Sequence, residues 1–249
     1  MRNGSFDLEA LWNSVHPAER VFEPAQVAHL PDAVQRYLTH AIAPGTPLAS
    51  AVRLRMHGQI SIGRFRKFKA EQVIVRDRGM IWRARLRMHG LSVRGYDRFL
   101  DGEGAMRWKM MRVIPLVRAA GSDVTRSAAG RFAAESIWLP SLLCSDSVWW
   151  QNGESGVAHA RFALAGHAAE LALRLDQGRL RSVAMTRWGN PDGGAFRDTS
   201  FGAFVDQEAS FGGYTIPARL RAGWYVDDPA RFEAEGKFIE MSIDDAVYR

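Results

Sequence analysis

The chain has 249 residues, of which 47% are hydrophobic and 24% charged, and its formal net charge is +6. This composition is typical of a globular protein with a sizeable core, and no stretch approaches the roughly 20 apolar residues of a transmembrane helix. A single cysteine, Cys144, excludes an internal disulfide and a cysteine-based zinc site. The first residues lack the apolar run of a secretory signal, so we expect a cytoplasmic protein.

Residues 1–47 are predicted to form a helical segment that packs on a sheet. Asp7 can cap a first helix, whose apolar face is formed by Leu8, Leu11, Trp12 and Val15. A second helix is predicted from Pro31 to Ala41, because proline suits the first helical position. The prolines and the glycine of residues 44–47 then end the helical segment.

Residues 48–249 are predicted to form an antiparallel β domain. From Val52 to Ile62, and again from Met80 to His89, apolar residues alternate with residues rich in arginine. Alternation with a period of two indicates half-buried strands, because successive side chains leave the backbone on opposite faces. Further strands are predicted over residues 65–76, 93–100, 105–113, 159–164, 170–175, 180–188, 203–210 and 214–226, followed by a final strand or irregular tail.

A central helix near 127–139 is predicted to pack against the sheet, because apolar residues recur there at roughly helical intervals, and Pro140 is expected to end it. We therefore expect a single domain over residues 1–249, mainly β with a few helices (α+β). In this domain a large curved antiparallel sheet forms a half-barrel or open barrel that wraps the central helix.

The sequence contains no motif for metal binding or nucleophilic catalysis. Its seven histidines form no H-E-x-x-H motif and no close acidic cluster, and neither a G-x-S-x-G elbow nor a phosphate-binding Walker loop is present. We therefore expect no metal site and no cofactor.

Large, pliable side chains on the apolar strand faces are the most suggestive feature. Such residues form either an ordinary core or an adaptable pocket for an apolar ligand. The leading hypothesis is a non-catalytic binder of a hydrophobic or lipid-like molecule on the concave side of the sheet, with an arginine at the rim contacting an acidic head group. The candidate ligand-binding residues are Met56, Trp82, Arg83, Arg85, Met88, Tyr96, Asp97, Met106, Trp108, Arg126, Glu135 and Trp138.

A second hypothesis is an enzyme that acts on a small anionic substrate. Asp97, Glu103 and Glu135, with nearby arginines, are its candidate residues. Arg131 and Glu135 also have the i, i+4 spacing of an ordinary ion pair on a helix, and we favour that structural interpretation.

A third hypothesis is a binder of an anionic surface. Residues 51–131 contain nineteen Lys and Arg against six acidic residues, a net charge of +13, whereas both flanking regions are net negative. The polar strand face in this region carries Arg53, Arg55, Arg83, Arg85 and Arg87. The alternative is a solvated strand face in an arginine-rich protein, because only four lysines occur in the chain.

Several motifs resemble a family of uncharacterised bacterial proteins, a domain of unknown function, over about residues 30–226. They are the stretches 126–131, 134–140, 96–99, 101–104, 187–189 and 211–217. This resemblance implies no activity and no catalytic residue. Residues 213–220, Gly-Tyr-Thr-Ile-Pro-Ala-Arg-Leu, are similar to a strand opening of LolA-like lipoprotein carriers. That likeness implies an unclosed antiparallel sheet that wraps helices around a hydrophobic cavity.

Overall fold

Thirteen antiparallel strands form one curved, open sheet in the computed structural model, which describes residues 8–249. The cap expected at Asp7 lies outside these residues. The strands are β1 Ala51–Ile62, β2 Arg64–Val75, β3 Gly79–Met88, β4 Leu91–Leu100, β5 Glu103–Met110, β6 Ile114–Ala120, β7 Trp149–Asn152, β8 Val157–Leu164, β9 His167–Asp176, β10 Arg179–Gly189, β11 Arg197–Phe211, β12 Tyr214–Trp224 and β13 Lys237–Tyr248.

Helices precede the sheet, connect its two edges and link β12 to β13. They are α1 Leu8–Asn13, α2 Asp32–Ala41, α3 Ser122–Ala134, α4 Pro140–Leu143 and α5 Pro229–Arg231, with 3-10 helices at Pro24–Val27 and Glu135–Trp138 and a π-helix at Phe232–Gly236. The central helix expected near 127–139 therefore consists of α3 and the 3-10 helix that follows it.

The strand order across the sheet is β6-β5-β4-β3-β2-β1-β13-β12-β11-β10-β9-β8-β7. The chain enters at the centre with β1 and meanders outward to β6. Helices α3 and α4 then carry it to the opposite edge, from which β7 to β13 meander back to the centre. There β13 pairs with β1, from Val52 opposite Tyr248 to Ile60 opposite Ile239.

Most predicted elements are confirmed, but strands β6 and β7 and the short helical turns at Pro24–Val27, Pro140–Leu143, Pro229–Arg231 and Phe232–Gly236 were not expected. Of the two alternatives left open for the C-terminal segment, the structure shows a regular strand, and this strand lies at the centre of the sheet. The central helix ends at Trp138, just before Pro140 as expected, and Pro140 itself then occupies the first turn of a further helix, α4. Proline is accepted there because the first backbone N–H groups of a helix have no intrahelical acceptor.

The sheet has two distinct faces. Opposed residues in neighbouring strands share a face, so the register places Met56, Ala70 and Ala84 on the inner, concave face and His57, Lys69 and Arg85 on the outer face. Helices α2, α3 and α4 pack with the inner face in one large hydrophobic core. Helix α1 covers part of the outer face through a smaller cluster of Leu8, Leu11, Trp12, Ala51, Val73, Val75 and Ile81.

Aromatic contacts fix the central helices in the concavity. Phe132 of α3 is fully buried against Phe99 of β4, with ring centroids 5.7 Å apart. Trp138 donates a hydrogen bond from Nε1 to the carbonyl of Pro217 at 3.0 Å, and its own carbonyl accepts one from Tyr248 at 3.1 Å. These contacts join the helical connection to strands of both halves of the sheet.

Candidate functional site

Arg131 lies at the centre of a charged group beneath helix α3. Its Nη1 donates to Oδ2 of Asp97 on β4 at 3.0 Å, and its Nε donates to Oε1 of Glu135 at 2.7 Å. The three side chains are only 19%, 17% and 11% exposed, respectively. Gln72 of β2, which is buried, donates to the other oxygen of Glu135 at 2.5 Å. The Arg131 guanidinium therefore joins the central helix to the sheet through Asp97, and Glu135 of the same helix adds a second contact with the sheet through Gln72.

Two tryptophans complete the surroundings of Asp97. Trp108 donates from Nε1 to Oδ1 of Asp97 at 2.9 Å, and the Arg131 guanidinium lies 5.0 Å from the ring centroid of Trp82. Burial raises the pKa of Asp97, whereas the charge of Arg131 and the hydrogen bond from Trp108 lower it. Burial is the stronger influence, so the pKa of this carboxyl is above its ordinary value.

Arg187 of β10 is a second guanidinium on the inner face. It donates from Nε to the carbonyl of Ser127 at 3.0 Å and from Nη2 to the hydroxyl of Ser127 at 3.2 Å. The guanidinium lies 4.4 Å from the ring centroid of Phe201 and 5.1 Å from that of Trp224. No carboxylate within residues 8–249 lies at ion-pair distance from it. Its polar contacts are the hydrogen bonds to Ser127 of α3, and two aromatic rings pack against the guanidinium.

The surroundings of Arg187 are apolar and tightly built. Burial, followed by repulsion from Arg131, lowers the pKa of Arg187 to about 9, so the side chain stays protonated at neutral pH. Gly130 of α3 provides the room for it, since a Cβ at that position would lie 2.9 Å from Cγ of Arg187 and 3.6 Å from Cε of Met185. Glu135 and Asp97 oppose this lowering through their negative charges, but neither carboxylate reaches the Arg187 guanidinium directly.

Half-buried methionines line the inner face around these charged groups. Met185 is two residues before Arg187 on β10, and Met106 is opposite Asp97 in the β4–β5 pair. Met88 and Met110 occupy inward positions nearer the ends of β3 and β5, and all four pack partly exposed against the core. We call these four residues the inner methionines. By contrast, Met56, Trp82 and Trp108 are buried, with at most 7% exposure.

The arginines of the outer face divide into two groups. Arg53 and Arg83 both bind Glu71, and Arg53 also binds Glu9. Their hydrogen bonds lower the pKa of Glu71 against the opposing effect of its burial, which is the largest single influence.

Arg55 contacts Asp245 at 2.8 Å. Arg85 and Arg87, further along β3, are exposed and form no ion pair in the described part of the chain. The five arginines expected to bind an anionic surface thus include three that are already paired with carboxylates of the protein itself.

The remaining candidate residues are scattered. Arg83, Arg85 and Tyr96 lie on the outer face, away from Trp82, and exposed Glu103 also points to that side, whereas Asp97 and Glu135 converge on Arg131. Arg126 at the rim contacts Asp198 at 2.9 Å and covers the Trp188 ring at 4.0 Å. Trp138 is part of the core.

Sequence reasoning missed Arg187 and Gln72. Both occupy inward positions of strands that otherwise place apolar residues there: Arg187 follows Val183 and Met185 at intervals of two residues, and Gln72 lies opposite Trp82. A polar residue at an apolar position of the strand pattern was therefore the available signal. Among the described residues, no group of three or more histidine, cysteine or acidic side chains is arranged to hold a metal ion.

The sheet, its central helix and the inner charged group define a mainly β half-barrel protein. Residues 20–234 match the family of unknown function DUF6544, and the chain belongs to this family. The resemblance expected from the sequence motifs is thereby confirmed. A comparison with the curated proteins gives no match.

Two solved structures are similar to the chain. One is a putative outer membrane lipoprotein-sorting protein domain from Vibrio parahaemolyticus, at 9% identity and a TM-score of 0.43, covering 80% of this chain and 86% of that one. The other is a LolA superfamily protein from Nitrosomonas europaea, at 8% identity and a TM-score of 0.46, covering 87% and 92%. In residues 8–249, no helix has the length and apolar character needed to cross a membrane.

Proposed function

We propose that the protein is a non-catalytic binder of a hydrophobic or lipid-like molecule that carries an acidic head group. The observation that carries this proposal is Arg187, a charged guanidinium with no carboxylate partner in residues 8–249, placed beside Met185 on the apolar inner face. A buried charge is costly unless it is paired, so an anionic group is the natural additional partner at this position.

The chemistry of the surrounding side chains fits such a ligand. A guanidinium can donate two parallel hydrogen bonds to a carboxylate or a phosphate, which a lysine cannot reproduce. The inner methionines are flexible and polarizable, and side chains of this kind adapt to apolar chains of different shape. The head group would lie at Arg187, and the apolar chain would displace or pack against the inner methionines.

The inner carboxylates favour binding over catalysis. Asp97 and Glu135 are both engaged by Arg131, so acid–base chemistry at either one would first have to break a short charge-assisted contact. Glu103 is on the other face, which leaves the enzyme hypothesis without one of its three acids. Arg131 is accordingly assigned to holding the helix, and Arg187 to the ligand.

Two measurements test the proposal. Native mass spectrometry of the purified protein, followed by denaturation, is expected to release an apolar acid such as a fatty acid or a phospholipid. After delipidation, fluorescence titration compares 11-(dansylamino)undecanoic acid with its uncharged methyl ester. The free acid is expected to bind more tightly, because the charged hydrogen bonds to Arg187 are worth roughly 1.5–3 kcal/mol, a factor of ten to a hundred or more.

Substitutions at Arg187 separate charge from packing. Arg187→Gln is expected to remove the preference for the free acid, and Arg187→Lys to retain part of it. Arg161→Gln is the matched control, because Arg161 also covers a tryptophan ring, Trp149, but is exposed. The proposal fails if wild-type protein binds neither probe and releases no ligand, or if Arg187→Gln and Arg161→Gln bind the two probes equally.

A further inference from the structure

Three neighbouring hairpins lie at the same end of their strands and expose apolar side chains there. They connect β1 to β2, β3 to β4 and β5 to β6, and the strand order makes them consecutive. Strands in a sheet lie about 4.8 Å apart, so adjacent tips are about 10 Å apart and the three span about 20 Å. We call these turns, with their flanking segments 59–69, 85–94 and 107–118, the hairpin tips.

The tips carry much of the exposed apolar surface. Of the ten large hydrophobic residues exposed in the described chain, seven belong to the hairpin tips, and Val113 alone is 72% exposed. These seven are Phe65, Leu91, Met111, Val113, Ile114, Leu116 and Val117. Isolated exposed apolar residues are common, but a contiguous group on one edge marks a surface that contacts an apolar partner.

Backbone geometry shows that the third tip is maintained under strain. Met111 and Arg112 both adopt positive φ, 50° and 69°, in a turn where glycine or asparagine would be favoured. Instead of relieving the turn with those residues, the sequence places a long apolar and a long basic side chain at the tip. Functional segments are where such strain is commonly retained.

The charge of the tips is uniformly positive and unpaired. Segments 59–69, 85–94 and 107–118 contain eleven Lys and Arg and no Asp or Glu. None of the eleven forms an ion pair within residues 8–249, whereas Arg53, Arg55 and Arg83 on the same outer face are each bound to a carboxylate. Neutralisation of the outer face thus stops where the tips begin.

A groove on the outer face continues from the first two tips. It has a volume of about 1230 Å³ and is lined by Arg64, Lys67, Arg87 and Arg94 among other residues of these segments, whereas its two carboxylates, Asp206 and Glu240, lie on β11 and β13. Arg219 of β12 adds a further exposed charge that has no ion-pair partner in the described residues. The groove is large enough to accept several phosphate groups close to the apolar tips.

We infer that the hairpin tips dock the protein edge-on to an anionic lipid bilayer. The apolar residues enter the boundary between head groups and acyl chains, and the lysines and arginines behind them contact lipid phosphates. A nucleic acid would satisfy the charges, but it would leave the aliphatic tips without a partner. Charge and apolar surface together therefore select the membrane.

Vesicle flotation tests this inference with purified full-length protein. At low salt, wild-type protein is expected to float with vesicles of phosphatidylcholine containing 30 mol% phosphatidylglycerol. With vesicles of pure phosphatidylcholine, the protein is expected to remain unbound at the bottom of the gradient. The triple variant Arg64→Gln, Lys67→Gln, Arg87→Gln is expected to bind roughly a hundredfold more weakly, because each basic residue near an anionic surface contributes about a factor of five. The control removes three exposed charges far from the tips, at Arg36, Arg174 and Arg179.

A second variant tests the apolar contribution. Val113→Ser with Ile114→Ser changes exposed residues only, so folding is expected to be preserved, and vesicle binding is expected to fall roughly tenfold with an unchanged salt dependence. The inference is overturned if wild-type protein ignores anionic vesicles at low salt, if the charge variant and its control behave alike, or if a single-stranded oligonucleotide outcompetes vesicles and the serine variant has no effect. Binding of the dansylated fatty acid in the absence of vesicles tests the proposed ligand site at Arg187 independently of membrane docking.

Discussion

Replacing Arg131 by methionine tests the structural role assigned to the inner charged group. The substitution keeps a long apolar side chain under Trp82 but leaves Asp97 and Glu135 without their shared cation. Removing one partner from a buried ion pair costs about 3–5 kcal/mol. Because both carboxylates retain slight exposure, we expect the lower end of that range, about 3 kcal/mol. For a chain of this size, that corresponds to a fall in Tm of about 6–12 °C.

The pH dependence of the loss distinguishes this mechanism from simple loss of packing. Burial already raises the pKa of Asp97, and removal of the Arg131 charge raises it further. An acid whose folded-state pKa exceeds its unfolded value binds protons more strongly when folded, so its unfavourable effect is largest at neutral pH and shrinks as pH falls through the raised pKa. The Tm deficit of Arg131→Met is therefore expected to be smaller at pH 5 than at pH 7.

Differential scanning fluorimetry or calorimetry at the two pH values provides the measurement. Arg161→Met is the control, because Arg161 forms an exposed pair with Glu170 and its loss is expected to leave Tm nearly unchanged. The triple variant Arg131→Met, Asp97→Asn, Glu135→Gln is expected to recover part of the lost stability. A Tm deficit below about 2 °C, or one that is equal at pH 5 and pH 7, would refute the reasoning.

Three further predictions follow from local geometry. Gly95→Ala is expected to lower stability by about 1–3 kcal/mol and to change tryptophan fluorescence, because the added Cβ would lie 2.3 Å from Cδ2 of Trp108; an unchanged Tm contradicts this. Phe132→Ala is expected to cost about 3–5 kcal/mol in urea unfolding, and a loss below 1 kcal/mol would show that Phe132 does not anchor the helix. The pKa of the Asp192 carboxyl is expected to be about 2 by NMR titration, because Arg197 lowers it. The contribution of this carboxylate to stability is therefore present above its ordinary pKa near 3.8 and is lost as pH falls toward 2. Arg197→Gln should return the pKa toward its ordinary value, and an unchanged pKa would contradict the assignment.

The alternating strands could be predicted because one face is buried and the other is solvated. In β1 and β3 this difference fixes every second side chain, so sequence and structure agree there to within about a residue. Strand β6 escaped prediction because both of its faces are exposed and Pro115 interrupts it, which an edge strand tolerates. The pairing of β13 with β1 joins residues almost two hundred positions apart, and no local pattern encodes it.

The candidate site was predicted in part for the same physical reasons. The contact of Arg131 with Glu135 follows from i, i+4 spacing on a helix, which a sequence reveals directly. The contacts of Arg131 with Asp97 and of Glu135 with Gln72 depend on where α3 crosses the sheet, and that placement is tertiary. Arg187 was part of a family-like motif but was not taken as a candidate site residue, because the strand pattern was used to find apolar positions and not to identify the polar exceptions.

The central position of β13 has a consequence for how the chain folds during synthesis. In the described chain, this strand supplies the hydrogen-bonded connection between the β1–β6 meander and the β7–β12 meander. The first meander can form while translation continues, but β1 keeps an unpaired edge until residues 237–248 leave the ribosome. Such an edge is a template for pairing with other chains, and distant strand pairing is slow. Nascent chains stalled shortly before β13 should therefore aggregate through β1.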